Sequence, residues 1–339
     1  MLRHQFHARV ASGTLLPGGV PGGYVHAAIC GAAGRGAGFV RALSDDEETL
    51  LIYVCESQGR LREKLLAALP DLRVPTTQVF RQTIAQVHMS RVLADKVIRA
   101  VVIGHDADVR AALIASTLRA GKNVLAESPI ALDVAEAKAL YAEADARGLL
   151  LATTVFSATT AARAAIAAEL SLLFAHPPGA GPDRLVLVRP LHAVGALDDD
   201  EVRTRALVDD VLFAEAVAGP LELDGSDGQT RARLRGRALG VELVARPGLR
   251  EESVEIWQGT ERLRVFPSPA PRAVDQIAWQ ATAPLDRQMC VDWNGFRRAL
   301  IASAESAGLG VDPSFLRAGL VAREVEIRRV ALVAALLEG

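Results

Sequence analysis

The first half of the chain alternates short apolar runs with stretches of helical periodicity. Apolar runs that end at glycines or polar residues predict buried parallel strands: Tyr24–Cys30, Leu50–Cys55, Ala100–Ile103, Asn123–Ala126 and Leu149–Thr154. The helices predicted between them cover 34–43, 60–69, 86–99, 108–120 and 133–147. Strands that alternate with helices over this length predict a doubly wound parallel sheet of the Rossmann type.

The pattern changes in the second half, where apolar and polar residues nearly alternate. After a predicted helix at 159–174, short strands are predicted at 184–189, 230–237, 241–245, 253–257 and 262–266. The segment Trp257–Glu261 predicts a hairpin turn between the last two. Two helices, 289–307 and 313–337, close the chain. This half therefore predicts an α+β unit with an antiparallel or mixed sheet.

The composition limits the classes of function. The chain has 339 residues, 50% hydrophobic and 23% charged, with a formal net charge of -2. This length predicts two domains at roughly 100–200 residues each. The near-neutral charge predicts no binding to nucleic acid or an anionic membrane, and no apolar run is long enough to span a membrane. Residues 1–23 have a basic start, but glycines and prolines break any apolar region there, so we expect a flexible arm, no signal peptide and a cytoplasmic protein.

Neither the cysteines nor the acidic runs predict a metal site. The chain has 3 cysteines, too few and too scattered for a disulfide framework or a zinc site. The acidic runs Asp45–Glu48 and Asp198–Glu201 lack the spacing of a calcium loop. We expect them in solvated loops or at helix starts, and we predict no metal cofactor.

A glycine-rich loop follows the first predicted strand and opens a helix. It places Gly31, Ala33 and Gly36 at the three small positions of a dinucleotide-binding turn, and Gly34 and Arg35 complete the loop. Small residues there permit a tight turn, close approach of the backbone to a pyrophosphate and close packing of helix on strand. The amides at the helix start would face the phosphates.

Glu56 ends the second predicted strand, roughly 20 residues beyond the loop. A carboxylate there accepts hydrogen bonds from the ribose hydroxyls of NAD and repels the 2′-phosphate of NADP, so NAD is favoured. Arg35 and Arg60 are near enough in sequence to leave NADP open. The alternative is a Rossmann-type sheet whose glycines only make turns.

Several segments resemble the Gfo/Idh/MocA oxidoreductases: Val101–Asp106, Ala120–Pro129, Leu132–Lys138, Gly148–Ala152 and Glu255–Arg264. The resemblance is stronger in the first half of the chain. It implies a Rossmann domain followed by an α+β domain with an open-faced, mainly antiparallel sheet. It also implies a nicotinamide cofactor in the cleft, hydride transfer to or from sugars or related small molecules, and a homo-oligomer assembled through that sheet.

These expectations divide the chain into three parts. They are the flexible arm (1–23), a dinucleotide-binding domain (24–154) and a substrate-binding and oligomerisation domain (155–339).

The chain departs from the family signature at its catalytic positions. The family's Glu-Lys-Pro reads Glu127-Ser128-Pro129 here, and a serine hydroxyl cannot replace the lysine ammonium as a cationic acid. Glu127 and Pro129 still match, so the resemblance places them at the cofactor. Lys122 is an improbable substitute and is expected to cap the preceding helix.

The family's second-domain histidine has no counterpart either. Its position falls on Asp209, next to Asp210. Either aspartate could supply an acid, with a solvated helix start as the alternative. The loss of both family residues casts doubt on alcohol dehydrogenation by the family mechanism.

Other polar residues are candidates for the chemistry. His105 and Asp106 follow a predicted strand at the edge where α/β proteins bind ligands, and His105 is predicted to act as an acid–base group or to contact the cofactor. Ser128 is predicted to hydrogen-bond the substrate or the nicotinamide amide, with a plain turn role as the alternative. His192 is a weaker candidate from the second domain.

The sequence leaves three functions open. The first is an NAD(P)-dependent oxidoreductase that reduces an imine, enone or carbonyl of a sugar-like or secondary-metabolite substrate, since such a reduction depends less on the missing lysine. The second is a redox-neutral lyase or epimerase that retains NAD. The third is a catalytically retired nucleotide-binding or scaffold protein.

Overall fold

The computed structural model describes most of both predicted sheets. The residues it describes are 25–31, 39–40, 42–43, 46, 49–56, 85–105, 107–154, 170, 182–190, 200–226, 231–237, 239–246, 252–268, 290, 292–300 and 321–338. Several predictions fall outside these ranges: the arm at 1–23, the helix at 60–69, Ala33, Gly34, Arg35, Gly36, Arg60, Asp106 and His192.

The first sheet is parallel throughout and has the strand order β3-β2-β1-β4-β5-β6. Its strands are β1 (Val25–Cys30), β2 (Thr49–Cys55), β3 (Ala85–Gln86), β4 (Ala100–Ile103), β5 (Asn123–Ala126) and β6 (Leu151–Thr153). Strands β1, β4 and β5 are buried almost completely, because helices cover a doubly wound sheet on both faces. The predicted Rossmann-type sheet is confirmed.

Three helices of this half are α1 (Met89–Ala94), α2 (Ala107–Arg119) and α3 (Val134–Ala146). Asp133 caps α3 by accepting a hydrogen bond from the amide of Glu136 at 2.8 Å, as the capping pattern predicts. Gly121 follows α2 with φ of 73°, the left-handed conformation that favours glycine after a helix.

The helix predicted at 86–99 is wrong over most of its length. Ala85–Gln86 forms β3, and α1 ends at Ala94 because Asp95 adopts an extended backbone. The Asp95 carboxylate then accepts a hydrogen bond from the amide of Val97 at 2.9 Å, which holds a turn where the helix was expected.

The second sheet has the order β12-β11-β7-β10-β9-β8. Its strands are β7 (Arg184–Pro190), β8 (Glu222–Ser226), β9 (Arg231–Arg235), β10 (Gly240–Arg246), β11 (Glu252–Gln258) and β12 (Glu261–Ser268). Neighbours are antiparallel except for β7 and β10, so the mainly antiparallel sheet is confirmed. The hairpin turn before β12 is confirmed at Gly259, whose φ is 56°. Strand β8 was not predicted, because its mostly polar, exposed residues give no alternating signal.

Two long helices cover one face of the second sheet. They are α4 (Asp200–Ala218) and α5 (Arg323–Glu338), and their apolar side chains share a core with β7, β10 and β11. Helix α5 also packs against α3, and α4 packs against α2. Residues 321–322 are not helical, so the start predicted at 313 is wrong for α5.

The helical segment 292–300 returns to the first sheet. Trp293 and Phe296 are fully buried in the core that contains Ile29 and Val102. The Trp293 indole donates to Asp46 Oδ2 at 2.9 Å, and Arg297 pairs with the same carboxylate at 3.0 Å. The expectation that the acidic run at 45–48 is solvated is therefore wrong for Asp46. The domain boundaries themselves stay predictions.

In the part of the chain that the structure describes, no helix is long and apolar enough to cross a membrane.

Candidate functional site

The turn after β1 brings two backbones into very close approach. Gly31 has φ of 73°, and a Cβ atom built there would lie 2.7 Å from the carbonyl carbon of Gly104 and from the amide nitrogen of His105. No other residue fits, because both the conformation and the space demand glycine. Strands β1 and β4 are parallel neighbours, and the strand order runs from β1 to β2 and β3 on one side and from β4 to β5 and β6 on the other. The point between them is the topological switch where doubly wound sheets bind ligands.

Glu56 lies at the same edge, directly after β2. Only 5% of its surface is exposed. Strand β2 pairs with β1 in register, so that Cys55 lies opposite Cys30 and Glu56 follows beside Gly31. The placement agrees with that predicted for a ribose-binding carboxylate, and the binding itself stays a prediction.

The cysteines beneath this edge are free thiols, as expected. A hydrogen bond with Cys55, together with burial, raises the pKa of the Cys30 thiol well above its ordinary value. A thiol in this state is a poor nucleophile, so Cys30 contributes packing rather than chemistry.

His105 lies at the switch point and is held there by its backbone. It follows β4, and its carbonyl oxygen accepts hydrogen bonds from Arg110 Nε at 3.0 Å and Arg110 Nη2 at 2.6 Å. Its side chain is half-buried. A histidine beside Gly31 is well placed for proton transfer or cofactor contact, and either role stays a prediction.

The residues of the predicted signature are buried and paired with other parts of the protein. Glu127 and Arg110 form an ion pair at 3.3 Å in which each side chain is 2% exposed. The carbonyl oxygen of Pro129 accepts a hydrogen bond from Arg110 Nη1 at 2.6 Å. The polar atoms of this turn are therefore engaged by a buried arginine from α2.

Ser128 is fully buried, and its hydroxyl donates to Glu326 Oε2 at 2.6 Å. Glu326 belongs to α5, the last helix of the chain, and is itself 0% exposed. Its other oxygen accepts a hydrogen bond from the amide of Ile130 at 2.9 Å. In this arrangement Ser128 faces α5, so the predicted contact with substrate finds no support in its placement.

Asp209 and Asp210 lie in the middle of α4, so the alternative of a solvated helix start is wrong. Asp210 is 3% exposed. Helix α4 packs on α2, which carries Arg110, and the aspartates thus belong to the helix that meets the nucleotide-binding half. A catalytic role for either stays a prediction.

Lys122 was expected to cap the preceding helix, α2, but its ammonium lies elsewhere. Its ammonium donates to the carbonyl oxygens of Asp95 at 2.6 Å and Ile98 at 3.1 Å, which belong to the turn after α1. Burial lowers the pKa of Lys122, and Asp95 partly opposes that shift.

Three residues at this edge were missed by sequence reasoning. Arg110 and Glu326 hold the turn after β5, and Arg329 lies beside Glu326. Their only signal is charge within otherwise amphipathic helices, which ordinarily predicts a solvated face. Contacts that span up to 198 positions along the chain leave no local pattern.

Comparison with known protein families decides the class of the first domain. Residues 25–155 match the family Gfo/Idh/MocA, described as "Oxidoreductase family, NAD-binding Rossmann fold". This match identifies residues 25–155 as an NAD-binding Rossmann fold of the oxidoreductase kind. This confirms the expected enzyme class, an NAD(P)-dependent oxidoreductase, and the expected nicotinamide cofactor. Comparison with curated protein sequences found no match.

Solved structures share the fold over nearly the whole chain. WlbA dehydrogenase from Bordetella pertussis, in complex with NADH and UDP-GlcNAcA, is 14% identical with a TM-score of 0.54; the match covers 92% of this chain and 95% of that one. GenD2 from gentamicin A biosynthesis, with NAD, is 15% identical with a TM-score of 0.53 over 95% and 96%. KijD10, a 3-ketoreductase from Actinomadura kijaniata with NADP, is 18% identical with a TM-score of 0.50 over 92% and 96%. At these identities the likeness concerns the fold alone.

The described residues fit a nicotinamide dinucleotide. Gly31 lets the turn after β1 pack directly against the turn after β4, and Glu56 supplies a carboxylate at the end of the neighbouring strand. Both features stand at the carboxyl edge of the sheet, where doubly wound sheets bind ligands.

Proposed function

We propose that this protein is an NAD(P)-dependent reductase that acts on an imine, enone or carbonyl group of a small molecule. One observation carries the proposal: position 128, where the family resemblance expects a lysine, holds a serine that is fully buried against Glu326. The site therefore has a cofactor edge but no ammonium at the position that would exchange a proton with an alcohol.

The missing ammonium affects oxidation and reduction differently. Oxidation of an alcohol must remove the hydroxyl proton as the hydride leaves, which requires a base within hydrogen-bond reach. Reduction of an imine requires less of the protein, because the imine nitrogen can be protonated before the hydride arrives. A conjugated double bond can take its proton from water or from a weak acid.

The protein's own residues would hold the cofactor and supply the weak acid. The Gly31 turn would approach the pyrophosphate, and Glu56 would accept hydrogen bonds from the adenosine ribose, which favours NAD over NADP. When bound, the nicotinamide supplies or accepts a hydride. The backbone amide of His105 lies beside Gly31, and we propose its imidazole as the proton donor, with the buried Asp210 as the second candidate.

The substrate class is supported by the similar structures. WlbA was solved with UDP-GlcNAcA and KijD10 with TDP-benzene, while GenD2 comes from gentamicin A biosynthesis. We propose a sugar-like or secondary-metabolite substrate for this chain, bound between the two sheets. We also propose a cytoplasmic homo-oligomer assembled through the second sheet.

Two other functions remain candidates. A redox-neutral lyase or epimerase would keep NAD tightly bound through purification. A retired nucleotide-binding or scaffold protein would bind nucleotide with ordinary affinity and turn nothing over. The inward orientation of Glu127 and Ser128 favours the second of these over the first, because neither side chain then offers a proton-transfer group.

The deciding experiment begins with the nucleotide. We would release and identify any nucleotide from the purified protein, then titrate the stripped protein with NADH and NADPH by fluorescence. We expect tight NADH binding that Glu56→Ala weakens at least tenfold. The control Glu222→Ala, whose side chain is 74% exposed in β8, should leave the affinity unchanged.

A substrate screen follows with sugar ketones, cyclic imines and enones under NADH. Hydride transfer to any of these classes supports the reductase. Nucleotide binding without transfer to any of them points to the retired protein, and failure to bind either nucleotide overturns both enzyme functions.

A further inference from the structure

The turn after β5, residues Glu127–Ile130, is held from two sides by buried charges. On one side is Arg110 of α2, which donates to the carbonyl oxygen of Pro129 and pairs with the Glu127 carboxylate. The same guanidinium donates to the carbonyl oxygen of His105. Arg110 thus ties the turn after β5 to the turn after β4 at the nucleotide edge.

On the other side is Glu326 of α5, whose two oxygens are both used. One accepts from the Ser128 hydroxyl at 2.6 Å and the other from the Ile130 amide at 2.9 Å. These contacts join the last helix of the chain to the nucleotide-binding half. Ser128 and Ile130 therefore engage both carboxylate oxygens of Glu326.

A third charged residue steadies Glu326. Arg329, one turn along α5, lies 3.6 Å from Glu326 Oε2 and donates from Nε to Glu215 of α4. A buried carboxylate is costly unless charges and hydrogen bonds surround it, and here it has both. Burial raises the pKa of Glu326, while Arg329, Ser128 and Ile130 oppose that rise.

We propose that Glu326 is a positioning residue: it fixes the Glu127–Ile130 turn at the cofactor edge through Ser128 and Ile130, opposite Arg110. Ser128 is then a structural link to α5 and not an acid–base group. The inference rests on the proposed function, because a fixed turn matters for catalysis only if it aligns a bound nicotinamide with a substrate. It assigns to the C-terminal helix a part in shaping the cofactor edge, for which the sequence named only residues of the dinucleotide-binding domain.

The physical consequence is a connection across the molecule. Glu215, Arg329, Glu326 and Ser128 form a continuous line of contacts from α4 to the turn. A shift of α5 would move the turn relative to His105, which Arg110 fixes from the other side. Loosening Glu326 should therefore change how well the cofactor is held and how it is aligned with substrate.

The test compares Glu326→Gln with Glu324→Gln, an exposed glutamate on the same helix. In the full-length protein we expect amide hydrogen exchange at 127–131 to accelerate at least tenfold in Glu326→Gln. We expect NADH affinity to fall several-fold, and kcat to fall more than KM rises with the substrate found by screening. Glu326→Asp should recover part of each loss. If Glu326→Gln matches the Glu324→Gln control in exchange and affinity, the proposal is overturned.

Ser128→Ala separates the link from an acid–base role. The Ile130 bond to Glu326 remains in this variant, so exchange should accelerate less than in Glu326→Gln and kcat should stay within about threefold. A direct acid–base group would instead lose about 100- to 10,000-fold in kcat. A loss of that size, with exchange at 127–131 unchanged, would contradict the proposal.

Failure of the proposed function gives a different result. If the wild-type protein binds no nucleotide, the reductase is excluded. The contact between Ser128 and Glu326 can still be measured by hydrogen exchange and by a double-variant cycle of Ser128→Ala and Glu326→Gln in unfolding free energy. Coupling between the two positions supports it, and additive effects contradict it.

Discussion

Two turns at the same edge of the first sheet are built in opposite ways. The turn after β1 has almost no side chain: Gly31 lies against the backbone of Gly104 and His105. The turn after β5 is made of side-chain contacts, with Arg110 on one side and Glu326 on the other. The first is held by close approach of two backbones, and the second by buried side chains.

The difference bears on the proposed function. A dinucleotide-binding turn needs close backbone packing at the switch point, which Gly31 provides. A catalytic lysine, which the family resemblance implies for the second turn, would need to direct a long cation at the substrate. Ser128 instead reaches only as far as a buried carboxylate, so that turn serves packing and position.

The largest effect should come from removing the arginine of the second turn. Arg110→Met leaves the Glu127 carboxylate buried without its cation and removes the donors to two carbonyl oxygens, which should cost about 3–5 kcal/mol of unfolding free energy. Urea unfolding measures the loss. Arg119→Met, an exposed position on the same helix, is the control and should change stability by less than about 0.5 kcal/mol. An equal effect of the two variants would show that the second turn is not held by this charge.

The next effect should come from the first turn. Gly31→Ala places a methyl group 2.7 Å from backbone atoms, whereas Gly121 has the same φ of 73° with nothing within 4 Å of its Cβ position. Gly121→Ala should therefore lose about 1–2 kcal/mol from the backbone conformation alone. Gly31→Ala should lose more and should also weaken NADH binding at least tenfold. Equal losses in unfolding, with NADH affinity unchanged, would mean that close approach at Gly31 has no function.

A pH series distinguishes the charge in the second turn from ordinary packing. Because burial raises the pKa of Glu326, its contribution to stability is fully present below the ordinary glutamate pKa of about 4.3 and is lost as pH rises through the raised value. Wild type should thus lose stability relative to Glu326→Gln as pH increases above about 4.3. Chemical unfolding between pH 4 and pH 8 measures the difference. A constant difference across this range would show that Glu326 titrates normally.

The smallest effect should come from the surface contact of α5. Arg323 pairs with Asp145 of α3 at 2.7 Å, but the side chains are 29% and 48% exposed. Solvent and salt screen such a pair, so Asp145→Asn should cost about 0.5 kcal/mol and less at high salt. Thermal unfolding at two ionic strengths tests this. A loss comparable to that of Arg110→Met would show that α5 is held mainly from its surface.

The sequence predicted most of the strands because each is short, apolar or alternating, and ends at a clear break. The helix cap at Asp133 and the turn at Gly121 are local in the same sense, because both depend on neighbours a few residues away. It missed β8, whose polar residues pair with β9 without a local signal, and it overextended the helix that Asp95 ends.

The candidate site divides in the same way. Gly31, Glu56 and His105 could be placed from the sequence alone, because the carboxyl ends of parallel strands meet at one edge. The direction in which Ser128 points could not, since its partner Glu326 lies 198 residues away on another helix. Asp46 and Lys122 were misjudged likewise, because each finds its partners on distant segments.

By itself the sequence determined the two sheets, the glycine turn after β1 and the absence of a lysine at position 128. Each follows from residue type and local spacing, which act over one strand or one helical turn. Only the tertiary structure decided what became of that position. Burial makes a charged or polar group seek a partner wherever the fold brings one near, and here the fold brings the C-terminal helix to the turn after β5.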